Sequence, residues 1–244
     1  MSVRYAVLSS GSKANCAVIE YQGNVLMIDC GLGPVIVKKR LDAVGLKPEQ
    51  IKAVIVTHTH GDHISNPAFR KLSVPVWCHE SHREAIEVDT HLYENQFEPV
   101  PGFVVTPFHI FHDSPYTNAF RVDVGGVSIG HIADTGSWTR SMARKLAGVD
   151  ILGVECNHDI DMQVRSDRPQ SLIDRVLSEY GHLSNEQCLA FLSQIIEYGK
   201  KPQHTVLLHM SHHCNTPEIA KRVLKGVVEP VVATAEEPTV WFEV

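Results

Sequence analysis

Four side chains able to hold a metal ion fall within six consecutive residues, His58-Thr59-His60-Gly61-Asp62-His63. On an extended backbone His58 and His60 share a face, and Asp62 and His63 follow where the chain curls away. Four such donors in so short a span do not converge comfortably on one ion, and two adjacent ions sharing them is the natural arrangement. Paired divalent ions about 3.5–4 Å apart clamp both the attacking and the leaving oxygen of a hydrolytic reaction. A lone His-x-His reads more readily as two surface histidines, and the longer run does not. The chain carries 15 histidines in 244 residues, which suits metal chemistry without locating it.

Side chains used this way need a rigid edge behind them. The apolar run Lys52–Val56 (KAVIV) reads as a buried strand that delivers the chain straight into the histidines. Val3–Leu8, Cys16–Tyr21, Asn24–Ile28, Val74–Cys78, Phe103–Phe108, Phe120–Val124, Val127–His131, Asp150–Glu155 and Thr205–Leu208 also read as strands, with turns at Gln22-Gly23 and Gly125-Gly126. Helical spacing marks Val35–Val44, Ser81–Glu87, Ser141–Leu146, Gln170–Glu179, Asn185–Glu197 and Pro217–Leu224. The alternation predicts an α/β layered fold with mixed sheets. No linker-like stretch divides the chain, so residues 1–244 are expected to form one domain.

Composition narrows the function classes. Hydrophobic residues at 43% and charged residues at 20% exclude a disordered chain. No apolar run approaches the roughly 18 residues of a membrane span. A net charge of −6 excludes a non-specific nucleic-acid coat built on a basic surface, although a nuclease gripping its substrate through metal ions remains compatible with it. The six cysteines, Cys16, Cys30, Cys78, Cys156, Cys188 and Cys214, contain no CxxC pair, which argues against a zinc ribbon or a disulfide framework. The opening MSVRYAVLSSGSKAN has no basic stretch followed by an apolar one. Reduced thiols in a cytoplasmic protein are the expectation.

The His-x-His-x-Asp-His run after a buried strand resembles that of the metallo-β-lactamase superfamily, and the similarity extends along the whole chain. The resemblance implies an αβ/βα four-layer sandwich with two mixed sheets. Met27-Ile28-Asp29-Cys30-Gly31 is similar to the superfamily's first motif, which implies that Asp29 supports the histidine loop and binds no metal. Asp134, in Ile132-Ala133-Asp134-Thr135-Gly136, is the expected bridging carboxylate. His112 before Asp113 is preferred to His109 as the third histidine of one metal, and His209 is preferred to His212 and His213 as the last ligand. The implied site places His58, His60 and His112 on one ion, and Asp62, His63 and His209 on the other, with Asp134 between them. Two zinc ions suit this donor set, with manganese or iron(II) as alternatives.

Four further segments resemble the YycJ/WalJ-type metallo-hydrolases: Leu8-Ser9-Ser10-Gly11-Ser12-Lys13-Ala14-Asn15-Cys16, Glu155-Cys156-Asn157-His158-Asp159, Tyr180-Gly181-His182-Leu183-Ser184-Asn185, and Met210–Glu218. Ala14 stands where that family commonly has glycine, Gly61 where serine is frequent, and His212-His213 where a more acidic pair is usual. The resemblance implies hydrolysis of a phosphodiester in DNA, RNA or a cyclic nucleotide, most of all as an exonuclease acting through hydroxide held between two ions. Asp134 would hold the attacking water, Asp62 would take its proton, and His182 would bind the scissile phosphate and protonate the leaving oxygen. Glu155 is expected to orient a histidine, and His158 with Asp159 to orient His182 or line the pocket. The turn carrying Ser10, Ser12, Lys13 and Asn15 is a candidate anion nest, and Ser184 a helix cap beside the site. A small-molecule hydrolase on the same metals is the alternative: a cyclic-nucleotide phosphodiesterase, a glyoxalase II-like thioesterase or a lactonase. A binding protein that keeps only the fold fits poorly with intact ligands. Related proteins are commonly dimers, which leaves a homodimer open.

Overall fold

The computed structural model describes residues 2–244. In chain order the elements are β1 (Arg4–Ser9), β2 (Cys16–Tyr21), β3 (Asn24–Ile28), α1 (Pro34–Ala43), β4 (Ile51–Ile55), α2 (Asn66–Leu72), β5 (Val76–Cys78), β6 (Thr90–Leu92), β7 (Phe97–Val100), β8 (Phe103–His109), β9 (Asn118–Val124) and β10 (Val127–Ile132). There follow α3 (Arg140–Leu146), β11 (Ile151–Glu155), α4 (Ile160–Val164), α5 (Gln170–Leu177), α6 (Asn185–Tyr198), β12 (His204–Leu208), α7 (Pro217–Leu224), β13 (Val231–Val232) and β14 (Phe242–Glu243). One sheet runs β14-β1-β2-β3-β4-β5-β6 and the other β13-β12-β11-β10-β9-β8-β7. Both are mixed. β3, β4, β5 and β6 pair in parallel in the first, as do β10, β11, β12 and β13 in the second, and the remaining pairs are antiparallel.

The period-2 alternation of strands builds the layers. In β1, Tyr5 and Val7 join an inner core that also holds Ile19, Ile28, Phe103, Phe120 and Val206, so side chains of both sheets meet there. Ala6 and Leu8 face the other way, into a cluster with Val37 and Leu41 of α1 and Phe69 of α2. The second sheet turns Ile132, Leu152 and Leu207 outward against Met142, Phe191 and Leu224 of α3, α6 and α7. The result is helix, sheet, sheet, helix, as the resemblance implied.

Elements absent from the sequence reading are short or lie at sheet edges. β6 and β13 end their sheets with three and two residues. β7 is the edge opposite β13 and carries Pro99, which an edge strand tolerates. α2 starts with Pro67 in its first turn, and α4 has only five residues behind an Asp159 cap. The helix expected at Ser81–Glu87 is a 3₁₀ segment over Glu80–Ala85.

One polar contact ties the two sheets through the inner core. Tyr5 Oη lies 2.9 Å from His131 Nδ1, both buried. A Cβ on Gly153 would sit 2.7 Å from Tyr5 Oη, so only glycine leaves room for the pair. Burial pushes the His131 imidazole down to about 4, well below the roughly 6.5 of an unfolded chain. The unfolded chain therefore binds the extra proton first. Stability falls as pH drops from about 6.5 to about 4 and levels off below, by about 3 kcal/mol from this residue. His131→Asn places an uncharged acceptor near Tyr5 and should flatten that part of a urea-melt pH series; an unchanged slope would remove His131 as its source.

Candidate metal centre

Strand ends aim the donors. Asp29, Asp134 and His209 directly or nearly follow β3, β10 and β12, and all three adopt left-handed backbone, with φ of 54°, 55° and 51°. Non-glycine residues hold such a conformation only when their surroundings fix it, and it clusters at functional sites. Asp29 fixes the histidine loop from beneath. It accepts the Thr57 N–H at 2.8 Å and the Thr57 hydroxyl at 2.7 Å, and lies 2.8 Å from His63 Nδ1. The opposite ring nitrogen, His63 Nε2, is then 2.6 Å from Asp134 Oδ2. This relay of carboxylate, imidazole and carboxylate sets the tautomer and the ring plane.

Two groups of donors result. His58, His60 and His112 offer atoms all within 4.8 Å of one another, and so do Asp62, His63, Asp134 and His209. Asp134 joins them: its Oδ2 is 3.5 Å from His58 Nε2, and its Oδ1 is 3.0 Å from His209 Nδ1. A third group, Asp134, Glu155, His182 and His209, shares two members with the second. The cleft over these residues encloses about 290 Å³ and is also lined by Ser12 and Arg175.

The donor set fits metal ions. Imidazole nitrogens and carboxylate oxygens crowd together with no aliphatic filling. His209 Nε2 is buried with no hydrogen-bond partner, and Asp134 Oδ1, although 3.0 Å from His209 Nδ1, is not aligned to accept from it, an arrangement that costs free energy unless something else binds them. Without an ion the site balances its own charges, and a metal has to displace the proton held on His63. Burial opposes charge on Asp134, yet His209 and His63 hold its carboxyl well below the usual range. Burial likewise opposes charge on His63, and the Asp134 and Asp29 carboxylates outweigh it, raising the imidazole to about 10. His58, buried beside His63, is pushed well down and stays neutral, as a ligand must.

The remaining expected residues divide. Glu155, fully buried, lies 2.7 Å from His182 Nδ1 through Oε1 and accepts the Thr135 N–H at 2.7 Å through Oε2. His182 stacks on His209 with centroids 4.8 Å apart. His112 Nδ1 is 3.2 Å from the Tyr180 carbonyl. Ser10 Oγ accepts the His209 N–H at 2.8 Å.

The other residues singled out by the sequence lie around the donors. In the Ser9–Asn15 turn several N–H groups are already used, that of Gly11 by Asn15 Oδ1, that of Ala14 by the Gly11 carbonyl and that of Asn15 by the Asp62 carbonyl, while Ser12 lines the cleft. Asn15 braces the donors, with Nδ2 3.0 Å from Asp62 Oδ2. Lys13 points outward and pairs with Glu236 at 3.8 Å. His158 is buried with Nδ1 unpartnered and makes no hydrogen bond to His182; Glu155 takes that role. Ser184 caps α6 as expected, reciprocally with Gln187. His109 is exposed and lies outside both donor groups, and His212 pairs with Glu236 at 3.7 Å.

Two residues escaped the sequence reading. Thr57 links Asp29 to the loop, and Asn157 Nδ2 donates to the His209 carbonyl at 2.6 Å while lying 3.2 Å from its Nδ1. Asn157 stands inside the Glu155–Asp159 segment already singled out, but nothing local marks it as the partner of a residue 52 positions on.

The family model for a β-lactamase superfamily domain matches residues 24–210. The chain belongs to that superfamily. Exodeoxyribonuclease WalJ of Streptococcus pneumoniae is 28% identical over 230 residues, covering 89% of this chain and 85% of its own. Exodeoxyribonuclease YycJ of Bacillus anthracis is 26% identical over 243 residues, covering 94% and 90%. The solved metallo-β-lactamase fold protein YhfI from Bacillus subtilis superposes with a TM-score of 0.77 at 17% identity, over the whole of both chains. That last likeness is one of fold. No helix among the described residues is long and apolar enough to cross a membrane.

Proposed function

We propose that this superfamily hydrolase uses two divalent metal ions to cleave phosphodiesters and acts as a DNA exonuclease. The observation that carries the reading is His182. Glu155 holds its Nδ1 at 2.7 Å, and the ring lines the cleft 3.7 Å from Asp134 Oδ1 through that same nitrogen. A histidine braced by a buried carboxylate beside the donor cluster is placed to give a proton to a poor leaving group, which a DNA sugar oxygen is. The exodeoxyribonuclease names of WalJ and YycJ support the same substrate.

His58, His60 and His112 would hold one ion and Asp62, His63 and His209 the other, with Asp134 shared. Paired divalent ions bound there would supply an activated water, its pKa drawn down toward about 7, and a positive clamp on phosphate oxygens. Within the chain, Asp29 and Asn157 keep His63 and His209 oriented. Asp62, the more open of the two carboxylates in its group, takes the attacking water's proton. Arg175, held by Asp113 at 2.5 and 3.0 Å, lines the cleft wall. His182 protonates the departing oxygen from Nε2 while Glu155 steadies Nδ1. Five imidazoles and two carboxylates favour zinc over harder ions. Six buried free cysteines suit a reducing compartment such as the cytoplasm.

End-labelled single- and double-stranded DNA, RNA and cyclic dinucleotides, incubated with metal-loaded protein, test the reading. Stepwise shortening of DNA, abolished by chelation, is expected. Fast cleavage of cyclic dinucleotides with DNA left intact would assign a small-molecule hydrolase instead. His182→Ala should lower turnover on DNA by about 10²–10⁴-fold. On bis-p-nitrophenyl phosphate, whose leaving group needs no proton, the loss should be much smaller. Equal losses on both substrates would remove the proton-donor role.

A further inference from the structure

Five rings contact one another in succession beside the metal centre, with Tyr116, His109 and Tyr180 exposed and Phe111 partly packed on the core. His79 stacks on Tyr116 at 4.4 Å between centroids, with planes 17° apart. Tyr116 meets His109 edge-on at 6.0 Å, His109 meets Phe111 at 6.0 Å, and Phe111 meets Tyr180 at 6.3 Å. The inner end abuts the donors, because Phe111 precedes His112 and the Tyr180 carbonyl lies 3.2 Å from His112 Nδ1. Tyr116 and Tyr180 remain 58% and 53% exposed.

The display of Tyr116 is enforced. Its φ is 48°, a backbone state that a bulky residue keeps only when its surroundings hold it. Two buried side chains do so at its carbonyl, Asn118 Nδ2 at 2.7 Å and His82 Nε2 at 3.3 Å. The other His82 nitrogen is 3.4 Å from the hydroxyl of Thr59, which sits between His58 and His60. The backbone under the ring is thus tied to the metal-ligand loop, while the ring stands in water. A loop needing only to close here would use glycine or turn the ring inward.

We propose that this line is a stacking track for the unpaired bases of a single-stranded DNA substrate whose cleaved end lies at the metal centre. The proposal rests on the nuclease reading and specifies its substrate form. Every base has a π-face, so stacking on aromatic rings binds any sequence. A chain of net charge −6 gains little from long-range phosphate neutralisation, and ring contacts supply the grip that a basic stripe would otherwise give. Bases in a duplex are already stacked on one another, so the track favours a frayed or single-stranded end.

The test uses metal-loaded protein carrying Tyr116→Asn, since asparagine tolerates left-handed backbone, and separately His79→Ala. Three substrates are compared: a labelled single-stranded oligothymidylate, the same oligomer with abasic sites behind the cleaved end, and bis-p-nitrophenyl phosphate as a readout of damage to the metal centre. Tyr116→Asn should raise KM for the oligothymidylate by about 5- to 150-fold, with kcat changed far less. The abasic oligomer should already carry that loss with wild-type protein, so the substitution adds little to it. An unchanged KM in a variant whose wild type degrades DNA would overturn the track and leave the nuclease reading standing. Equal losses on all three substrates would also overturn it, as damage to the metal centre. A wild type that cleaves no DNA would defeat the nuclease reading and the track together.

Discussion

Asp134→Asn is expected to lower hydrolysis of any phosphodiester by at least about 10³-fold, the upper range for removing one group that stabilises charge in a transition state. Asp134 is the carboxylate that reaches donors of both groups, His63 at 2.6 Å, His209 at 3.0 Å and His58 at 3.5 Å. Asparagine keeps the shape and removes the charge. Bound metal, counted by plasma mass spectrometry, should fall from two ions per chain toward one. A variant retaining both ions and wild-type turnover would refute the shared-ligand role. The metal-free protein offers a second readout. Because Asp134 and Asp29 raise His63 to about 10, that stabilisation is complete below the unfolded value near 6.5. It is lost as pH climbs through about 10. In metal-free Asp134→Asn this alkaline loss should shrink, as read by thermal melts across the same range.

Gly31→Ala should be still more disruptive to the folded chain. A Cβ there would lie 1.9 Å from the Asp62 carbonyl oxygen and 2.4 Å from its carbon, both backbone atoms that cannot swing aside. The corner is also locked by hydrogen bonds. The Gly31 N–H donates to the Asn15 carbonyl at 3.0 Å, and the Asn15 N–H donates to the Asp62 carbonyl at 2.7 Å. Relief requires moving the Asp62–His63 segment off His209 and Asp134. A loss at or above about 4 kcal/mol is expected, in the range reserved for outright steric conflict, together with loss of metal. Gly33→Ala, where nothing lies within 4 Å, is the control and should cost under about 1 kcal/mol as a cap-position change. Comparable melting temperatures for the two variants would show that the corner yields.

How much of this was legible beforehand depended on how locally each feature is written. Four donors in the six residues from His58 to His63 announce themselves, and so do strands with nearly continuous apolar runs such as β1, β4 and β11. His112, Asp134 and His209 are lone residues at strand exits. Their selection needed the resemblance to known metallo-hydrolases, because the left-handed backbone that aims Asp134 and His209 leaves no mark when the residue is not glycine. The glycine and serines of the Ser9–Asn15 turn permit an anion cradle; only the three-dimensional contact with Asp62 shows where the Asn15 N–H goes. Asn157 and Thr57 act through partners set by the packing of strands, which no spacing rule encodes. Short edge strands such as β6 and β13 are held by their neighbours more than by their own residues.

The division of donors between the sheets has a consequence for how the chain matures. Asp29 and the histidine loop emerge from the first sheet, whereas Asp134, Glu155 and His209 emerge from β10, β11 and β12 of the second. A partly synthesised polypeptide that has not reached β12 lacks His209 and cannot assemble the Asp62, His63, Asp134 and His209 group. Hydrolytic competence therefore arrives late in biosynthesis, once both halves have docked.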